Sequence, residues 1–181
     1  YLLNDSVYKL RKIMSLAAKE TYVNSLVAQT KQNNPQALLD QSGRAIMLSG
    51  ATLVGLSYYG VASPYVLLGD AGDSFKVMLA TFMLASGGSF LVPYWLTGDI
   101  EVSRAQANMT FYGQTRGILH GLAFAQMLSG ADANNERALL ASGIGFSIAE
   151  GVMGFRLAKR WNYSTGEAGV VHFAGDMGAI T

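Results

Sequence analysis

Two stretches without a charged residue, Ala45 to Gly69 and Val77 to Gly98, constrain this chain more than any other feature. They run for 25 and 22 residues, and about 20 residues of helix cross the hydrocarbon core of a bilayer. In a soluble domain, two helices apolar on every side would need partner surfaces to cover them. Composition points the same way. Half of the 181 residues are hydrophobic and 14% are charged, whereas about 25% are charged in an ordinary soluble domain. Charge is denser before Gly43, with 8 of the first 42 residues charged against 17 of the remaining 139, so the remainder is more apolar still.

Between the two runs, Gly69-Asp70-Ala71-Gly72-Asp73-Ser74 reads as a turn with helix-capping residues. Folding the runs about it brings Gly55 level with Gly88. Arg104 to Ala158 reads as two further helices in a hairpin about Asp132 and Asn135. In the first arm Gly113, Gly117, Gly121, Ala125 and Ser129 recur every fourth residue, which leaves one helix face without bulky side chains. In the second arm Ala141, Gly145 and Ala149 repeat that spacing. A turn centred near Ala133 sets Gly121 against Gly145, Gly117 against Ala149 and Ala125 against Ala141. Glycine costs about 1 kcal/mol in a helix interior. Close approach of two backbones offsets that cost, and such contacts typify helix pairs in lipid. In a soluble bundle the same small residues would be incidental.

Ahead of these helices, Ser6 to about Thr30 forms a basic amphipathic pattern. Leu10, Ile13, Met14, Ala17, Leu26 and Val27 are its apolar positions, and Lys9, Arg11, Lys12 and Lys19 lie between them. Such a helix suits an anionic membrane surface or packs on its own domain or a partner. Lys31 to Gln36, with Asn33-Asn34-Pro35, then breaks the pattern as a linker. Lys9, Arg11 and Lys12 interrupt any secretory signal core. Beginning at Tyr1 and stopping at Thr181 within an expected helix, the chain reads as a piece of something longer.

Charges in the loops give an independent test, because short cytoplasmic loops are rich in lysine and arginine. Arg44 and the lysines and arginines before it lie on one side of the first run, Asp70 and Asp73 on the other. Asp132 and Glu136 lean acidic, and Arg156, Lys159 and Arg160 are basic. The alternation fits four spans, with the N-terminal side and the end of the fourth span cytoplasmic. Tyr58, Tyr59, Tyr65, Tyr94, Trp95, Trp161 and Tyr163 sit at expected run ends, as interfacial belts require. Against this, Arg116, His120 and Glu150 fall near mid-depth, where a charge costs roughly 3 kcal/mol unless paired or wetted. The expected fold is all-α, an antiparallel up-and-down bundle of small-residue-packed transmembrane helices. It covers 36–181, with about four spans plus the start of a further helix, and 1–35 supplies the basic helix and linker. A soluble glycine-packed helical interaction domain is the alternative.

Little else in the sequence points to chemistry. A net charge of +1 argues against a nucleic-acid surface. Without cysteine there is no disulfide, thiolate metal site or cysteine nucleophile. His120 and His172 lack a ligand pair at helical spacing, no serine sits in a nucleophile elbow, and Gly143-Ile144-Gly145 lies within a helix rather than a phosphate loop. No catalytic residue, cofactor or metal is expected. Arg116 and His120 lie one turn apart on the third helix, with Glu150 at the matching height on the fourth. These three form a candidate buried polar group, either a structural lock or a proton or ion path in which His120 titrates. The eight methionines read as core or lipid-facing filler.

Leu48-Ser49-Gly50, Leu84-Ala85-Ser86-Gly87, Leu128-Ser129-Gly130 and Leu140-Ala141-Ser142-Gly143 form a weak internal repeat. Gly69-Asp70-Ala71, Thr97-Gly98-Asp99 and Thr165-Gly166-Glu167 punctuate the chain as helix starts, the last with Ser164 in capping-box spacing. On these three motifs, from about Gly43 onward, the chain resembles uncharacterised bacterial envelope proteins with glycine-rich helices separated by such turns. The resemblance implies an envelope location and no activity. The residues themselves favour a non-enzymatic integral membrane scaffold or assembly subunit, partnered by the lipid bilayer and by other protein subunits. A small transporter or channel is the rival.

Overall fold

Six helices make up all the regular structure among the residues described by the computed structural model, 16–33, 39–69, 74–129 and 136–180. The chain divides into two units, Tyr1–Leu39 and Asp40–Thr181. The first contributes α1 (Leu16–Asn33), whose side chains from Ala18 to Gln29 are exposed. It continues through Lys31 to Asn33, past the start of the expected break, because lysine and glutamine favour helix. The earlier part of the predicted amphipathic helix, with Leu10, Ile13 and Met14, lies outside the described residues.

The second unit holds α2 (Arg44–Leu68), α3 (Phe75–Leu96), α4 (Arg104–Ser129), α5 (Glu136–Arg160) and α6 (Thr165–Ile180). Successive helices run in opposite directions. At one end the Gly43 N–H donates to the Val102 carbonyl at 2.8 Å and Val102 N–H to Asp40 at 2.7 Å. There too Arg44 donates to the Tyr94 carbonyl at 2.9 Å and lies over its ring. At the other end Arg137 donates to the Val66 carbonyl at 3.1 Å, beside Gly69, whose φ of +50° suits glycine. Two reciprocal caps start helices at the first end. Ser164 and Glu167 exchange hydrogen bonds at 2.8 and 3.3 Å, the capping box expected for α6. Ser103 and Gln106 do the same for α4 at 2.9 and 3.2 Å.

α4 and α5 form the central hairpin, α2 lies against both, α3 packs on α2, and α6 packs on α4. The interior is built from small side chains. Ala105, Met109, Ala158 and Ala168 form one buried cluster, and Met47, Val102 and Ala107 another. The largest side chains buried completely are Val102 and Ser147. Large apolar side chains instead face outward, among them Leu84 at 77% exposure, Trp95 at 76% and Met127 at 82%. That inverts the usual distribution, and so wide an apolar exterior is the mark of an interaction surface, for lipid or for protein. α2, α3 and α5 are each long and apolar enough to cross a membrane. Only a small part of α3 is buried within the chain.

The hairpin register differs from the expected one. A methyl group added at Gly121 would lie 2.4 Å from the Ser142 carbonyl oxygen and 2.7 Å from Gly143 Cα. Added at Gly117, it would meet Phe146 and Ser147 backbone at 2.5 and 2.6 Å; at Gly113, the Glu150 carbonyl at 2.3 Å. The contact face of α5 is therefore Gly143, Ser147, Gly151, Gly154 and Ala158, all buried. Gly145 has open space around it, and it, Ala141 and Ala149 are exposed. Neither Gly145 nor Ala149 packs the hairpin. A slide of about two residues turns a helix by roughly 200°, which exchanges one small face for the other. Ser147 decides between them, because its hydroxyl donates to the Gln114 carbonyl at 2.7 Å across the seam. The α2–α3 contact needs a similar correction. Gly55 closes on Ser86 and Ser89, while Gly88 faces open space.

Candidate functional site

α2 is an α-helix at both ends with a π turn over Gly55–Tyr59. A π turn inserts one extra residue and re-aims the side chains around it. Here it sends two tyrosines into the hairpin. The Tyr58 hydroxyl donates to the Leu140 carbonyl at 3.2 Å, and Tyr59 Oη lies 2.7 Å from Ser147 Oγ. Tyr59, Ser147 and the Gln114 backbone thus form a continuous buried chain of hydrogen bonds, with the Gln114 side-chain carbonyl close by and unpartnered.

On the outer flank of the hairpin a second polar group runs along α4. Tyr112, Arg116 and His120 follow one another at four-residue spacing and share a face. His120 Nδ1 lies 2.8 Å from Glu150 Oε1 and 3.0 Å from Oε2. The two side chains start at different heights, yet in antiparallel helices each leans toward its own N-terminus, which brings them together. Arg116 pairs with Asp176 of α6, Nη2 to Oδ1 at 2.6 Å, so it is not the partner of Glu150. The Tyr112 hydroxyl sits between Asp176 Oδ1 at 2.9 Å and the His172 carbonyl at 3.1 Å. Its ring stacks on His172 with centroids 4.2 Å apart, and the Arg116 guanidinium lies 5.5 Å from it. His172 Nε2 is buried without a partner.

Arg116, His120 and Glu150 do join one polar face, yet they are not buried in the chain. His120 is exposed, and Arg116 and Glu150 are partly covered. They flank the seam instead of lying in it, because the seam is filled by glycine and serine. Tyr112, His172 and Asp176 belong to this face and were not singled out by the sequence. Their signal was the shared four-residue spacing, Tyr112 to Arg116 on α4 and His172 to Asp176 on α6, which acquires meaning only once α6 is known to lie on α4. Chemically the face offers one ion pair, a histidine–carboxylate hydrogen bond, a stacked imidazole and a shared phenol. Among the described residues, no group of three or more histidine, cysteine or acidic side chains could hold a metal ion. No family model, no characterised protein and no solved structure matches this chain.

Proposed function

We propose that the protein is a non-enzymatic integral membrane scaffold, an assembly subunit of a larger complex in the cell envelope. The observation that carries this reading is the pairing of an apolar exterior with an exposed polar face at the middle of α4. Arg116 is near the midpoint of α4, and charged groups at such depth face protein or water rather than lipid. α4 is itself less apolar than its neighbours, but connectivity requires it to cross. α3 ends at one end of the bundle and α5 begins at the other, so if both span, the segment between them must span as well. Four spans result, α2 to α5.

The outward small-residue face of α5, Ala141, Gly145 and Ala149, adjoins Glu150. Small residues at four-residue spacing accept a second helix closely in lipid, and the polar pairs beside them supply specificity. A helix of a partner subunit lying along α5 would cover both. Arg44, Arg104, Arg156, Lys159 and Arg160 gather at one end of the bundle, and this supports a cytoplasmic location for that end.

A photoreactive residue placed at Gly145 or Ala149 in cells should yield a discrete protein adduct, and one at Leu84 of α3 should capture lipid. Release of the chain from membranes by carbonate as a monodisperse monomer would favour the soluble alternative. Proton or solute flux in reconstituted vesicles, abolished in His120→Ala and without protein adducts at α5, would favour a transporter.

A further inference from the structure

Because α3 packs on α2 and not along α5, a cleft of about 560 Å³ remains between them, floored by α2 and α4. Its walls are apolar over most of their length, with Val92, Ile144, Ile148, Val152 and Phe155 among them. It follows α5 from Ile144 to Arg156, twelve residues or roughly 18 Å of helix rise. An apolar slot of this volume is within the range of a small-molecule site, and its length along α5 suits a hydrocarbon chain laid lengthwise.

The cleft is polar at one end. Arg156 lines it there, one turn before Lys159 and Arg160 at the basic end of the bundle. Arg44, also at that end, is already engaged with Tyr94 and Thr97. The Arg156 guanidinium has no ion-pair or hydrogen-bond partner among the described residues. An exposed arginine at the rim of an apolar slot is complementary to an anion attached to a hydrocarbon chain. Deeper in, Gly88 lines the wall with nothing within 4 Å of a methyl group added to it.

We propose that this cleft holds one acyl chain of an anionic phospholipid from the surrounding bilayer, with the phosphate on Arg156 and the chain running toward Ile144. This rests on the membrane reading above, since the slot must open to lipid. Gly88 is then the wall of a ligand site, kept small so that the chain can pass.

The test uses the full chain purified in mild detergent and titrated with phosphatidylglycerol, phosphatidylcholine or oleate under native mass spectrometry. The wild type should retain one phosphatidylglycerol in preference to phosphatidylcholine. Arg156→Gln should weaken phosphatidylglycerol about fivefold and leave phosphatidylcholine unchanged. Gly88→Leu should weaken both lipids by filling the slot, with the melting temperature preserved. Equal retention of the two lipids in all three proteins would overturn the proposal, as would oleate outcompeting phosphatidylglycerol. A protein partner lost in Gly88→Leu with lipid retention unaltered would likewise overturn it and assign the slot to a helix. Carbonate extraction of the same variants separates the two readings, because chains that stay in the membrane but fail these titrations refute the cleft alone.

Discussion

Gly121 and Gly145 lie on facing helices and differ completely in what surrounds them. Gly121 is pressed against the Ser142 and Gly143 backbone, and Gly145 meets nothing. Gly121→Leu should therefore cost about 1 to 3 kcal/mol, the usual penalty for overpacking a tight contact. Gly145→Leu should fall within about 0.5 kcal/mol of the parent in the solubilised monomer. Thermal melts in detergent distinguish them, and equal melting temperatures would sink the register described here. The first arm's stripe of Gly113, Gly117 and Gly121 was legible because glycine at four-residue spacing has few other uses in a helix. The second arm was not, because α5 carries two small faces half a turn apart. The choice between them rests on a serine hydroxyl whose acceptor, the Gln114 carbonyl, is 33 residues away.

Elements were legible where their ends are written locally. Ser164 and Glu167 mark the start of α6 in sequence as they do in space, and Ser103 with Gln106 carries the same information for α4. Hydrogen bonds from the Ser164 backbone and hydroxyl hold the Glu167 carboxyl below its ordinary range. The Ser42 hydroxyl and N–H do the same for Asp40, before α2. A carboxyl lowered by folding stabilises the folded state fully above its unfolded pKa and loses that contribution as pH falls through the lowered value. Acidification below about pH 4 should thus loosen the starts of α2 and α6 first. Amide-exchange protection factors at Ser42 and at residues 166–168 would register it, and Glu167→Gln should remove the pH dependence at α6 alone. Protection that holds steady through this range would show that the caps do not depend on charge. The docking of α6 on α4 was beyond reach of local reading, since the Arg116–Asp176 pair joins residues 60 apart.

For the whole molecule, α2 and α3 followed from the length of the two uncharged runs, because few other structures satisfy backbone groups over such stretches, whereas α5 was read from the spacing of its small residues. Their sidedness is open to direct measurement, since the chain contains no cysteine. Ser74→Cys, just before α3, and Glu101→Cys, in the loop after it, lie at opposite ends of the bundle. An impermeant maleimide should label the first in intact cells and the second only after permeabilisation. Simultaneous labelling of both, or the reverse order, would contradict the assignment of the basic end to the cytoplasm. The π turn in α2 has a further consequence for how chains of this design can diverge. Removing one residue from Gly55–Tyr59 would restore a regular helix and leave its two flanks in phase, because five residues of a π turn sweep about the same angle as four of an α-helix. Only the local aim would be lost, and with it the reach of the tyrosines to Leu140 and Ser147. A deletion elsewhere between Met47 and Pro64 would instead rotate everything beyond it by about 100°, so α2 should accept the loss of a residue at this turn alone as the lineage drifts.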